Sequence, residues 1–161
     1  MNTPPLQLGK YNFTQVNITA QQNAKPEDFN RVEFGVMASA VPRSEGSVQE
    51  WCVFVLVEFK PKDGAFPAYL GKVEAFGLFS VADSWPKDQV EQLVFVNGGG
   101  ILYAAIREMI YMVTSRCVYE NALTIPSYSF IDLYKEWKEA IQKGNNKTVE
   151  SAPQTPTPAT P

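Results

Sequence analysis

A chain of 161 residues, 45% hydrophobic and 19% charged, has the length and composition of one globular domain and not of a disordered segment. Lys and Arg number 14 against 17 Asp and Glu, a net charge of -3 that leaves no basic surplus for a nucleic-acid face. Histidine is absent, which removes His-based triads, His metal sites and His pH switches.

Met1 to Gln7 has neither a basic region nor an apolar stretch, so it does not read as a secretory leader, and the first five residues are expected to be loose. Apolar stretches are broken by Lys, Glu, Arg or Gly before the ~18 residues a membrane span needs, so a soluble, cytoplasmic protein is expected. Phe13–Ala20 reads as a weak first strand. Val32–Val41 alternates with period two, with Val32, Phe34, Val36, Ala38 and Ala40 on one face. Pro42 to Ser47 is turn chemistry. Trp51–Phe59 is apolar on both faces until Glu58, the pattern of a strand covered on both sides. Asp63-Gly64 marks the next turn. Tyr69–Val81 is a long strand, and Gly71 and Gly77 inside it signal a bulge or a close backbone approach.

The second half is helical. Pro86 to Leu93 predicts a short helix with Ser84 as its cap. Asn97 and the triplet Gly98-Gly99-Gly100 predict a break. Ile101–Arg116 follows helical spacing but is apolar nearly all round, so it must be buried on two sides. The sheet can cover one side; a second subunit or a large groove must cover the other. A loop over 118–129 leads to an amphipathic helix from Phe130 to Gln142, with Ser129 as cap. Lys143 to Lys147, with Gly144 as C′ residue, predicts its stop. Ser151 to Pro161, rich in Pro and Thr, reads as a disordered tail. The expected organisation is a loose 1–5, one domain over 6–142 and a tail over 143–161. The fold class is α+β: a four-stranded antiparallel sheet, then a long helix and a second C-terminal helix.

Little in the chain supports catalysis or metal binding. The glycine triplet lacks the lysine of a phosphate-binding loop and fits no GxGxxG frame, so it reads as a turn. Glu108 beside Arg107 reads as a structural ion pair and not as a general acid. No histidine is present to activate a serine, and Glu74, Asp83 and Asp88 do not cluster as metal ligands. Cys52 and Cys117 are expected as buried free thiols. What stands out is an aromatic surplus, with Phe66, Tyr69, Phe76, Tyr119, Tyr128, Phe130, Tyr134 and Trp137 as residues available to a contact surface.

Three runs together resemble the SecB family of bacterial protein-export chaperones: Phe76–Val81 (FGLFSV), Ile101–Arg116 (ILYAAIREMIYMVTSR) and Leu123–Trp137 (LTIPSYSFIDLYKEW). The likeness spans about Leu6 to Trp137. The resemblance implies a dimer of dimers, with Leu102, Ile106, Met109, Ile110 and Val113 at the oligomer interface. It implies binding of unfolded preproteins, without ATP or a metal cofactor, in a hydrophobic groove. Phe76, Tyr119, Leu123, Ile125, Phe130, Tyr134 and Trp137 are the groove candidates. It also implies delivery to the SecA ATPase through a sheet face that corresponds here to Gln15, Thr19, Leu70 and Lys72. That face is acidic in the family and has lost its acids here, so weak SecA binding, or a client such as an antitoxin, is a second expectation. The enzyme alternative is a hotdog-type thioesterase or dehydratase, with Glu108 as the acid and Asn97 as the polar group at the helix start.

Overall fold

The computed structural model describes residues 4–25, 27–28, 31–44, 49–63, 65–117, 119 and 122–149, with 143–149 as backbone alone. Four strands form one antiparallel sheet: β1 (Leu6–Ala20), β2 (Val32–Pro42), β3 (Glu50–Pro61) and β4 (Tyr69–Val81), in the order β1-β4-β3-β2. β1 starts at Leu6, not at Phe13. Register shifts between Leu8 and Lys10 and between Phe13 and Gln15 place one extra residue each in β1. Each extra residue flips the alternation, so no continuous period-two pattern marks the strand. In β3, Trp51, Val53, Val55, Val57 and Phe59 are buried on one face. The other face carries Cys52, Phe54, Leu56 and Glu58 and is only partly covered, with Phe54 37% exposed. The expected cover on both sides is not supplied by this chain's described residues.

Gly71 is held at φ +154°, and a Cβ there would stand 2.0 Å from the Asn17 carbonyl oxygen of β1. Only glycine lets the two backbones approach so closely. At Gly77 the intruder is a side chain: a Cβ would meet Leu102 at 3.0 Å.

The main difference from expectation lies in the helices. Residues Lys87–Thr114 form one continuous helical run. It opens as a 3-10 turn over Lys87–Gln89, continues as α1 (Val90–Leu93), widens into a π turn over Val94–Gly98 and proceeds as α2 (Gly99–Thr114). No side chain caps its start, so Ser84 does not act as the expected cap. The glycine triplet does not break the chain. Gly98 and Gly99 keep right-handed helical dihedrals, and their missing side chains are used for packing. A Cβ on Gly98 would lie 3.2 Å from Val53 of the sheet, and one on Gly99 would lie 2.6 Å from the Phe130 ring. Unbroken, the run of 28 residues is long and apolar enough to cross a bilayer by composition alone; half of its most apolar window is buried, as in the core helix of a globular protein.

The last helix, α3 (Phe130–Val149), starts where expected, with the Asp132 amide donating to Ser129 Oγ at 3.4 Å. It continues past Gly144, the expected stop. Glycine costs a helix only ~1 kcal/mol against alanine, too little to end one by itself. The Pro/Thr-rich tail over 150–161 lies outside the described residues.

The core sits between the sheet and the helical run. Val53, Val55, Val57, Phe59, Val73 and Phe79 from the sheet meet Val94, Phe95, Leu102, Ile106 and Ile110, with Leu123, Ile125 and Phe130 closing one side. Adjacent glycines in the run should respond with opposite signs. Gly99→Ala forces a methyl into Phe130 and is expected to lower stability by about 1–2 kcal/mol, overpacking outweighing helix propensity. Gly100→Ala meets nothing within 4 Å and is expected to raise stability by about 0.5–1 kcal/mol. Urea midpoints of the two variants check both signs.

Candidate functional site

On the helix side of the sheet the segment over 122–129 crosses from the end of α2 to α3. Hydrogen bonds fix its course. Thr114, the one threonine buried in α2, donates from Oγ1 to the Ile110 carbonyl at 2.7 Å and accepts from the Leu123 amide at 2.9 Å. Tyr103 donates its hydroxyl to the Pro126 carbonyl at 2.6 Å. Tyr69, fully buried, donates to the Thr114 carbonyl at 3.2 Å, and burial raises the pKa of both phenols. Tyr119 donates to the Gln21 carbonyl, accepts from the Ala24 amide at 3.0 Å and stands edge-on to Tyr69. With Leu123, Ile125 and Pro126 so tied, the crossing segment is a fixed wall.

An aromatic layer lies beside it. Phe95 packs against Tyr134 at 5.4 Å and Trp137 at 5.0 Å between ring centres. Tyr103, Tyr128 and Phe130 form a second group at 5.7–6.2 Å. The Tyr134 hydroxyl donates to Glu91 Oε1 at 2.8 Å, and Lys138 Nζ donates to the same oxygen at 2.8 Å. Burial, and then the Glu91 carboxylate, push the Tyr134 phenol up to about 12. At the start of α3 the Ser129 hydroxyl, then Lys135, hold the Asp132 carboxyl below its ordinary range.

The seven groove candidates do not share one exposed surface. Leu123, Ile125 and Phe130 are buried in the chain's own core. Tyr119, Tyr134 and Trp137 are half-buried around it. Phe76 is on the opposite face of the sheet, 4.9 Å from Phe54. What stays open on the helix side is Tyr128, Ile131, which is 50% exposed, and Ile141, together with Ile101, Tyr111 and Met112 on α2. Among these, the amphipathic pattern gave no sign of Ile131. It falls off the apolar face of α3 and is used only because a second element comes beside it.

The interface candidates divide likewise. Leu102, Ile106 and Ile110 are fully buried under the sheet and are covered within one chain. Met109 and Val113 are half-buried. The uncovered stripe of α2 is Ile101, Ala104, Glu108, Tyr111 and Met112. On the outer sheet face, Thr19 pairs Leu70, Asn17 pairs Lys72 and Gln15 pairs Glu74, so the four positions Gln15, Thr19, Leu70 and Lys72 gather in one corner. Cys52 and Cys117 are free and half-buried, not buried. Glu108 is exposed, and eleven residues of helical rise separate it from Asn97 by about 16 Å, so the two do not form one catalytic pair.

No family model matches the chain, and no curated protein does. Among solved structures the chain is similar to a SecB-like chaperone of Mycobacterium tuberculosis in complex with a peptide from an antitoxin. The TM-score is 0.58 at 14% identity, covering 78% of this chain and 88% of that one. It is also similar, at a TM-score of 0.44 and 14% identity, to a protein of unknown function from Streptococcus agalactiae, covering 76% of this chain and 97% of that one. The shared property is the SecB-like fold: a four-stranded antiparallel sheet, a long helix and a C-terminal helix.

Two outcomes test the polar ties. Thr114→Val keeps the volume but leaves the buried Leu123 amide without an acceptor, and should cost about 1–3 kcal/mol in urea unfolding. Tyr134 has a folded pKa above its ordinary 10.0. The folded state therefore holds that proton longer, and its stabilising effect is full below pH 10 and lost as pH rises towards 12. Urea midpoints across pH 9–12 should fall more steeply for the native protein than for Tyr134→Phe.

Proposed function

We propose that this protein is a SecB-like molecular chaperone that holds non-native polypeptides in apolar grooves in the cytoplasm, without ATP or a bound cofactor. The observation that carries the reading is apolar surface that the fold leaves uncovered on its helix side: Tyr128 and Ile131 beside the fixed crossing segment, and Ile101, Tyr111 and Met112 along α2. Patches of this kind mark contact surfaces in soluble proteins. The two parts serve different partners. The α2 stripe packs against further copies of the chain in a homotetramer built as a dimer of dimers, burying Ile101, Tyr111 and Met112. Tyr128 and Ile131, with the half-buried Tyr134 and Trp137 on the same helix side, receive the client. Burial of apolar side chains has no directional requirement, so recognition is promiscuous.

Delivery to SecA is a weak function here. Gln15 and Thr19 are neutral and Lys72 is positive at the positions where an acidic face would steer a basic partner. A client outside export, such as an antitoxin, fits better; the similar chaperone of Mycobacterium tuberculosis is seen with an antitoxin peptide.

Suppression of aggregation of a chemically unfolded protein is the direct test. The native protein should suppress it at a stoichiometric ratio. Tyr128→Ser with Ile131→Ser should weaken that effect several-fold, while light scattering still reads four times 18.0 kDa. A monomer at micromolar concentration, or no suppression, overturns the corresponding half of the reading.

A further inference from the structure

On the surface beside the π turn is an open cleft of about 320 Å3, within the size range of ligand clefts. Its lining mixes apolar side chains, Trp85, Leu93, Val96 and, from α3, Ile131, with three carboxamides, Gln89, Gln92 and Asn97. Gln89, Gln92, Leu93 and Val96 stand at i, i+3, i+4 and i+7, so the early part of the helical run turns one mixed face towards the cleft. The Trp85 indole N–H is shielded from water and has no acceptor among the described residues. Shielded in this way, the N–H is out of reach of a ligand in the open cleft, so Trp85 contributes its ring and not a hydrogen bond.

The lining defines the ligand chemistry. It contains no charged side chain. Glu91, on the same turn, is already held by Tyr134 and Lys138. An anion or a cation therefore finds no counter-charge in the lining. A primary carboxamide offers two donors and one acceptor, the complement of a peptide group, which offers one N–H and one C=O. The side chains of an extended chain alternate, so one set can meet the apolar lining while the backbone passes the carboxamides.

We propose that this cleft is a backbone-reading subsite for an extended, uncharged polypeptide segment, with Gln89, Gln92 and Asn97 hydrogen-bonding its peptide groups and Trp85, Leu93, Val96 and Ile131 taking its apolar side chains. The proposal rests on the chaperone reading and adds to it a source of affinity that does not depend on client sequence. Every client presents the same backbone, so carboxamides along the cleft retain promiscuity while requiring an extended conformation.

The sign of one substitution separates this from simple apolar burial. Gln89→Leu with Gln92→Leu makes the cleft more apolar, and both residues are exposed, so the fold is not at stake. The probe is a fluorescent, end-capped nonapeptide of Leu, Val, Phe and Ala, compared with the same peptide N-methylated at alternate amides. The native full-length protein should bind the methylated peptide about tenfold more weakly, the worth of one or two hydrogen bonds. The double variant should bind the unmethylated peptide about tenfold more weakly and no longer distinguish the two. Equal or tighter binding by the double variant overturns the proposal, as does displacement of the probe by a synthetic peptide of residues 150–161, which would make the chain's own tail the occupant. Aggregation suppression in the same samples separates the two readings: suppression with unaltered peptide discrimination sinks the subsite alone, and neither suppression nor peptide binding sinks the chaperone reading with it.

Discussion

The structure depends on a contact that two absent side chains permit. The helical run Lys87–Thr114 is approached by the sheet at Gly98 and by α3 at Gly99, within distances that a methyl group would close. Packing of this density leaves no room for a larger residue. The same turn of helix widens to a π turn, which offsets the residues of α1 from those of α2 by an added position. The run is thus held from two directions at its middle. Its early face is left to the cleft with Trp85 and Ile131, and its late face to the stripe from Ile101 to Met112.

Polar groups then fix what apolar packing leaves free. Burial of Val94, Leu102, Ile106 and Ile110 favours any snug arrangement of helix and sheet, because the hydrophobic effect has no direction. Thr114 and Tyr103 choose one course for the crossing segment, since a buried amide or hydroxyl without a partner is expensive. The Lys138–Glu91 pair contributes less. Both groups are partly solvated, and such pairs are worth little alone. Its use is to hold Tyr134 against Phe95 and to occupy a carboxylate that would otherwise put charge near the cleft.

Two sheet edges differ in how they are protected. β1 carries two bulges, Lys10 and a run of polar residues, all of which discourage pairing by a stray strand. β2 has one charged residue, Glu33, and exposes Met37 and Val41. With Phe54 and Phe76 on the outer face beside it, this half of the sheet is the more adhesive one. The sheet is therefore mostly polar at β1, although Tyr11 and Val16 are exposed there, and more apolar towards β2.

The sequence by itself determined β2, β3 and β4 almost to the residue, the start of α3 at Phe130, a long apolar helix read over Ile101–Arg116 that ends in the structure at Thr114, and a bulge or close backbone approach at Gly71, of which the structure has the close approach. These follow from local rules: period two, period 3.6, a capping serine and a glycine inside a strand. Tertiary structure alone decided the rest. Glycine has two physical uses, to bend a backbone and to admit a neighbour, and Gly98-Gly99-Gly100 reads as the first in sequence because the neighbours, Val53 and Phe130, are far away along the chain. The extent of β1 was hidden because bulges reverse the alternation. Which apolar residues form core and which form surface was also undecided. Leu102 and Ile101 are alike in composition, yet one is fully buried and the other 42% exposed, because the sheet reaches only one side of the helix. The cleft belongs to the same class: Gln89, Gln92 and Asn97 are ordinary helix residues until Trp85 and Ile131 come to stand beside them.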